Sequence, residues 1–93
     1  MKTIKDVLET PGACIVDVRN PYEFEEEHIA GALNIPLDQV MGSIDKFKSL
    51  PKPMVVYCRS GGRSGMATMI LKQAGVDEVY NGGGIYDLKQ LIN

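Results

Sequence analysis

Two nearly continuous apolar runs, Ala13-Cys14-Ile15-Val16-Asp17-Val18 and Met54-Val55-Val56-Tyr57, restrict the architecture more than any other feature of the chain. A strand with one wet face alternates between apolar and polar residues. A run without alternation suits a strand covered on both faces, the habit of parallel sheets. Parallel neighbours need crossover connections, and helical signals lie where crossovers belong. Asn20-Pro21-x-Glu23 supplies a cap, an N1 proline and an N3 acid after the first run. Val40, Met41, Ile44 and Phe47 keep helical spacing over 37–50, although Gly42 weakens the middle, and Pro51-Lys52-Pro53 ends that stretch. Met66, Ala67, Ile70, Leu71 and Ala74 predict a helix over 65–74, stopped by Gly75.

Thr3-x-x-Asp6 resembles a capping box and opens a short helix that Pro11-Gly12 breaks. Leu33-Asn34-Ile35 and residues 78–80 add short strands; Gly82-Gly83-Gly84 then leads to a last helix with Ile85, Leu88 and Ile92 on one face. Strands and helices alternate throughout. The expectation is an α/β fold in three layers, a parallel sheet with helices on both faces and right-handed crossovers. Ninety-three residues suffice for one such domain, residues 1–93.

A net charge of -2 and a pI near 5.3 argue against nucleic acid, whose phosphates select basic surfaces. The first residues contain no apolar signal segment, and no run approaches the roughly 18 residues of a membrane span. The chain reads as cytoplasmic, or as periplasmic where a signal peptide has been removed, with no membrane partner. Two cysteines and one histidine cannot complete a four-ligand zinc site, so neither a metal nor another cofactor is expected. Cys14 starts one strand and Cys58 ends another. In a parallel sheet they lie at opposite ends, beyond the ~7 Å Cα separation a disulfide tolerates.

The chemistry concentrates in Tyr57-Cys58-Arg59-Ser60-Gly61-Gly62-Arg63-Ser64, directly after the second apolar run. A strand delivers a cysteine into a loop bearing two glycines and two arginines, and a helix follows. Such a turn aims successive N–H groups at one point, and the helix dipole favours an anion there. A free thiol ionises near pH 8.5, and helix N-termini with nearby cations lower that to roughly 3.5–7.5, so Cys58 is expected to be a thiolate. The acidic cluster Glu23, Glu25, Glu26 and Glu27 reads as a solvated helix face, and His28 beside it as a hydrogen-bonded structural residue.

At this point the chain resembles the rhodanese family of single-domain, thiosulfate sulfurtransferase-like proteins over essentially its whole length. The matching pieces are Ile15-Val16-Asp17-Val18-Arg19, Tyr22-Glu23-Phe24, the segment from His28-Ile29-Ala30-Gly31-Ala32 to Leu33-Asn34-Ile35-Pro36, the cysteine loop, and Val79-Tyr80-Asn81-Gly82-Gly83. The resemblance implies that Cys58 is a persulfide-forming nucleophile. Arg59, Ser60, Gly61, Gly62, Arg63 and Ser64 would bind the substrate, the backbone of 59–63 forming an anion cradle. It also implies mainly structural parts for Asp17, Arg19 and His28. Two departures stand out: the strand that usually opens the family's fold is trimmed or missing before Thr3, giving four or five strands, and Tyr86 stands at best where the family often has Trp.

The expected reaction moves sulfane sulfur from thiosulfate, a persulfide or a polysulfide to a thiophilic acceptor such as cyanide or a thiol. The partners are thus a small anionic donor and a thiol or protein acceptor. Two other readings accompany it. A carrier would take sulfur from a partner enzyme and hand it on without turnover. A cysteine-dependent phosphatase or arsenate reductase would share the strand-loop-helix arrangement, but its loop reads C-x5-R, whereas Cys58 and Arg63 give C-x4-R and no motif places an acid to protonate an alkoxide.

Overall fold

The structure, a computed structural model, describes residues 3–92. Four strands form one sheet in the order β2-β1-β3-β4, every neighbouring pair parallel: β1 Cys14–Asp17, β2 Leu33–Asn34, β3 Met54–Cys58 and β4 Val79–Gly84. The helices are α1 Ile4–Leu8, α2 Pro21–Glu26, α3 Leu37–Val40, α4 Ile44–Ser49, α5 Gly62–Gln73 and α6 Ile85–Ile92. Of the two strand counts left open by the sequence, the described residues give four.

β3 explains the layering. All five of its residues are buried, and they divide by parity as a strand requires. Met54, Val56 and Cys58 join the core with Val40, Phe47, Ala67 and Leu71, on the face covered by α3, α4 and α5. Val55 and Tyr57 meet Val7, Ile85 and Leu88 of α1 and α6 on the other. Full burial of a side chain such as Phe47 or Leu71 contributes roughly 1.5–3 kcal/mol, so each helix layer is held mainly by a few such contacts.

The local signals are satisfied in bonds. Asp6 N–H donates to Thr3 Oγ1 and Thr3 N–H to Asp6 Oδ2, both at 3.1 Å, closing the capping box of α1. Lys52 Nζ donates to the carbonyls of Phe47 and Leu50 at 2.7 Å, so the terminator of α4 is a lysine as well as its flanking prolines. Both cysteines are free. Cys14 pairs with Met54, which sets Cys58 four residues further along the adjacent strand, ~13 Å by strand rise. No helix among the described residues is long and apolar enough to cross a membrane.

Four expectations need correction. The helix over 37–50 is three pieces, α3, a 3-10 turn Met41–Ser43, and α4, with the interruption centred on Gly42. α5 starts at Gly62, three residues before the expected start at Gly65. β4 runs through Asn81 and all three glycines instead of ending at Tyr80. On α6, Ile85 and Leu88 are buried but Ile92 is exposed.

Candidate active site

The site begins with β3, which delivers Cys58 to the carboxyl end of the sheet, the end at which open α/β sheets bind ligands. Three residues then reverse the chain into α5. Gly61 holds the turn at φ 102, a left-handed conformation that glycine adopts without Cβ strain. The strand beneath needs glycine for a different reason, lack of room. A Cβ on Gly84 would lie 2.5 Å from the Arg59 carbonyl oxygen, and one on Gly82 would lie 2.6 Å from the Val55 side chain. A register shift opposite Val56 and Tyr57 accommodates the extra glycine. These close approaches explain why a glycine run serves here as strand rather than loop.

The turn closes around the sulfur. Gly61 N–H donates to Cys58 Sγ at 3.0 Å and Ser64 N–H at 3.4 Å, and the Ser64 hydroxyl lies 3.4 Å away. Burial opposes ionisation most strongly, because Cys58 is only 1% exposed. The donors from Ser64, Gly61 and Ser60 together outweigh it and hold the thiol below its usual value. The downward direction expected from the sequence is present. Its leading stabilising contributions, however, are hydrogen bonds within the turn.

The two arginines part company. Arg59 is exposed and faces a cleft of about 340 Å³ lined also by Arg19, Glu23, Glu26, Glu27, Ile85 and Tyr86. Arg63 instead forms a fork with Glu23 of α2, Nη1 to Oε1 at 2.8 Å and Nη2 to Oε2 at 3.1 Å. Glu23 Oε1 also accepts the Asn20 N–H at 3.1 Å. The Arg63 guanidinium, chiefly, holds the Glu23 carboxyl down at about 2. Glu23 is thus buried and ion-paired, which corrects its assignment to a solvated face; Glu25 and Glu26 are exposed, while half-buried Glu27 pairs with Lys89 at 2.6 Å.

A second ion pair supports the cleft. Arg19 Nη2 meets Asp17 Oδ2 at 2.7 Å, and the same guanidinium donates to the Glu27 carbonyl and lies 5.7 Å from the Tyr57 ring centroid. Tyr57 Oη accepts the Ile29 N–H at 3.0 Å, and burial raises its phenol pKa. His28 accompanies Phe24, stacking on its ring at 3.8 Å with Nδ1 2.8 Å from the Phe24 carbonyl.

Of the residues expected in the site, Cys58, Ser60, Gly61 and Ser64 converge on the sulfur, Arg59 borders the cleft, Gly62 opens α5 and Arg63 is bound to Glu23. Two residues were missed. Glu23 had a signal, its N3 position in α2, which turns it back toward Asn20 and away from the outward acids. Asn81 had none beyond its place before the glycines; its Oδ1 accepts the Ser64 hydroxyl at 2.6 Å.

The chain has relatives in sequence and in fold. The thiosulfate sulfurtransferase PspE of Escherichia coli (strain K12) is 40% identical over 78 residues, covering 78% of this chain and 71% of PspE. The uncharacterized protein YqhL of Bacillus subtilis (strain 168) is 44% identical over 84 residues, 87% of this chain and 66% of YqhL, so the chain spans just under two thirds of that relative. Among solved structures, a rhodanese with anions from E. coli superposes with a TM-score of 0.71 at 38% identity, covering 81% of this chain and 89% of that one. The human single-domain sulfurtransferase TSTD1 gives a TM-score of 0.76 at 26% identity, covering 94% and 88%. A family model, the rhodanese-like domain, matches residues 1–90. With that match along nearly its whole length and the same fold in both structures, the chain belongs to the rhodanese-like domain family.

Proposed function

We propose that this chain is a sulfurtransferase that carries sulfane sulfur as a Cys58 persulfide. The observation that carries the reading is the set of donors from Gly61 and Ser64 on a sulfur whose pKa they depress. The Cys58 thiolate attacks the outer sulfur of thiosulfate, forming a sulfur–sulfur bond as the original one breaks. Sulfite leaves with the bonding pair. The donor's two charges depart on sulfite and the thiolate's charge moves to the terminal sulfur, so no proton transfer is needed. Cyanide or a thiolate then takes that sulfur and returns the Cys58 thiolate, a double displacement with ping-pong kinetics. PspE, named a thiosulfate sulfurtransferase, supports this substrate class.

One observation favours a carrier over a thiosulfate enzyme. With Arg63 bound to Glu23, Arg59 is the cleft arginine without an ion pair among the described residues, a modest attraction for a dianion. A donor that arrives as a protein persulfide would depend less on that charge. The phosphatase reading loses support from the same pair: Glu23, the carboxylate bonded to the loop, is held ionised and is poorly suited to protonate an alkoxide.

Mass spectrometry after thiosulfate exposure tests the reading. The wild type gains the mass of one sulfur and Cys58→Ala gains none; a wild type unchanged by thiosulfate and by persulfide donors overturns it. Comparing steady-state thiosulfate turnover with single-turnover loading from a cysteine desulfurase separates enzyme from carrier, fast loading with negligible turnover marking the carrier.

A further inference from the structure

The Ser64 hydroxyl is oversubscribed. It has one proton to give, and three acceptors lie within reach: Asn81 Oδ1 at 2.6 Å, the Gly61 carbonyl at 3.2 Å and Cys58 Sγ at 3.4 Å. Asn81 cannot return the favour, because its orientation is fixed from two sides. Its Oδ1 also accepts the Gly83 N–H at 3.0 Å, and its Nδ2 donates to the Gly61 carbonyl at 3.3 Å. Ser64 is fully buried, so water does not supply a substitute.

We propose that Asn81 is a positioning residue that shares the Ser64 hydroxyl proton with Cys58. While Cys58 is a thiol, the hydroxyl points at Asn81 Oδ1 and the S–H group donates to Ser64 Oγ. When the sulfur loses its proton to solvent, no covalent bond to Ser64 changes. The hydroxyl turns from Asn81 to the thiolate and joins the N–H groups of Gly61 and Ser64. Asn81 therefore competes with the thiolate for one donor, and it holds the sulfur less ionised than the turn alone would make it.

The charged groups at the turn are Arg59, next to Cys58 in the chain, and Arg63 with its partner Glu23, while Arg19, Glu26 and Glu27 line the neighbouring cleft with Arg59. None of them bonds the Ser64 hydroxyl, so variants at positions 64 and 81 leave that background in place.

The inference rests on Cys58 being the ionising nucleophile of the proposed function, but its test requires no sulfur transfer. Thiolate absorbance and the rate of iodoacetamide alkylation are followed against pH in the full chain. Asn81→Ala and Asn81→Leu, the second keeping similar volume, each lower the Cys58 midpoint by about half a pH unit; Ser64→Ala raises it by about one unit. In the Ser64→Ala background the Asn81 substitutions shift nothing further. An upward or absent shift in whichever Asn81 variant folds overturns the proposal. So does a shift of equal size without Ser64, since Asn81 would then act through loop shape alone. Normal titrations with no sulfur loading by any donor would instead count against the proposed function.

Discussion

Cys14 and Cys58 occupy opposite ends of neighbouring parallel strands and meet opposite fates. Burial pushes the Cys14 thiol up, with Lys52 opposing it only in part. Cys58 is the more deeply buried of the two, yet its thiol is pulled down. The difference lies in what the chain does next. Cys14 enters its strand with its own N–H spent on the Pro53 carbonyl at 2.9 Å, and the residues after it face β3. Cys58 leaves its strand for a helix start, where N–H groups lack intrahelical partners and can turn to the sulfur. In a parallel sheet only the carboxyl end of each strand leads into such a start, so position along the strand decides the direction of the thiol's pKa more than burial does.

The largest test of that contrast is complete loss against none. Cys58→Ala abolishes sulfur loading and Cys14→Ala retains it, both read by intact mass. Next comes the floor under the turn: Gly84→Ala places a methyl against the Arg59 carbonyl and displaces the donors, lowering the Cys58 loading rate by about 10²-fold. Alkylation of Cys14 in that variant stays at its wild-type rate; equal slowing at both cysteines would show a general loss of structure instead. In the wild type at neutral pH, iodoacetamide labels Cys58 at least about tenfold faster than Cys14, as peptide mapping of a time course would reveal. Equal rates would erase the contrast.

The smallest effect concerns the pair that ties α2 to the loop. Glu23 has a folded pKa of about 2 against an ordinary 4.5, so its contribution is whole above 4.5 and lost as pH falls through about 2. Urea midpoints of the wild type should fall across that window more steeply than those of Glu23→Gln. Parallel curves would mean the pair adds nothing to stability.

The cysteine end was legible because its signals are local: an apolar run, a cysteine, glycines and then helical periodicity follow one another within 54–74. The start of α5 was misplaced for a related reason. Gly62, Arg63 and Ser64 carry no apolar periodicity, and the helix there is set by the left-handed cap at Gly61, a backbone fact that residue spacing does not display. Arg63 and Glu23 lie forty residues apart, and their fork exists only once α2 is folded over the turn. β4 failed on propensity. Glycine is a poor strand former in isolation, yet here the absence of side chains is what lets the strand pass under the loop, so packing overrode local preference.

That passage has a consequence for transplanting the chemistry. The path of the loop depends on the bare backbone of Gly84 under Arg59 and Ser60, and of Gly82 beside Val55, on another strand, as well as on the loop's own residues. The loop sequence grafted onto a different parallel sheet would bring its cysteine along and leave the acidity behind. Grafted together with a glycine strand beside it, the same loop should keep both.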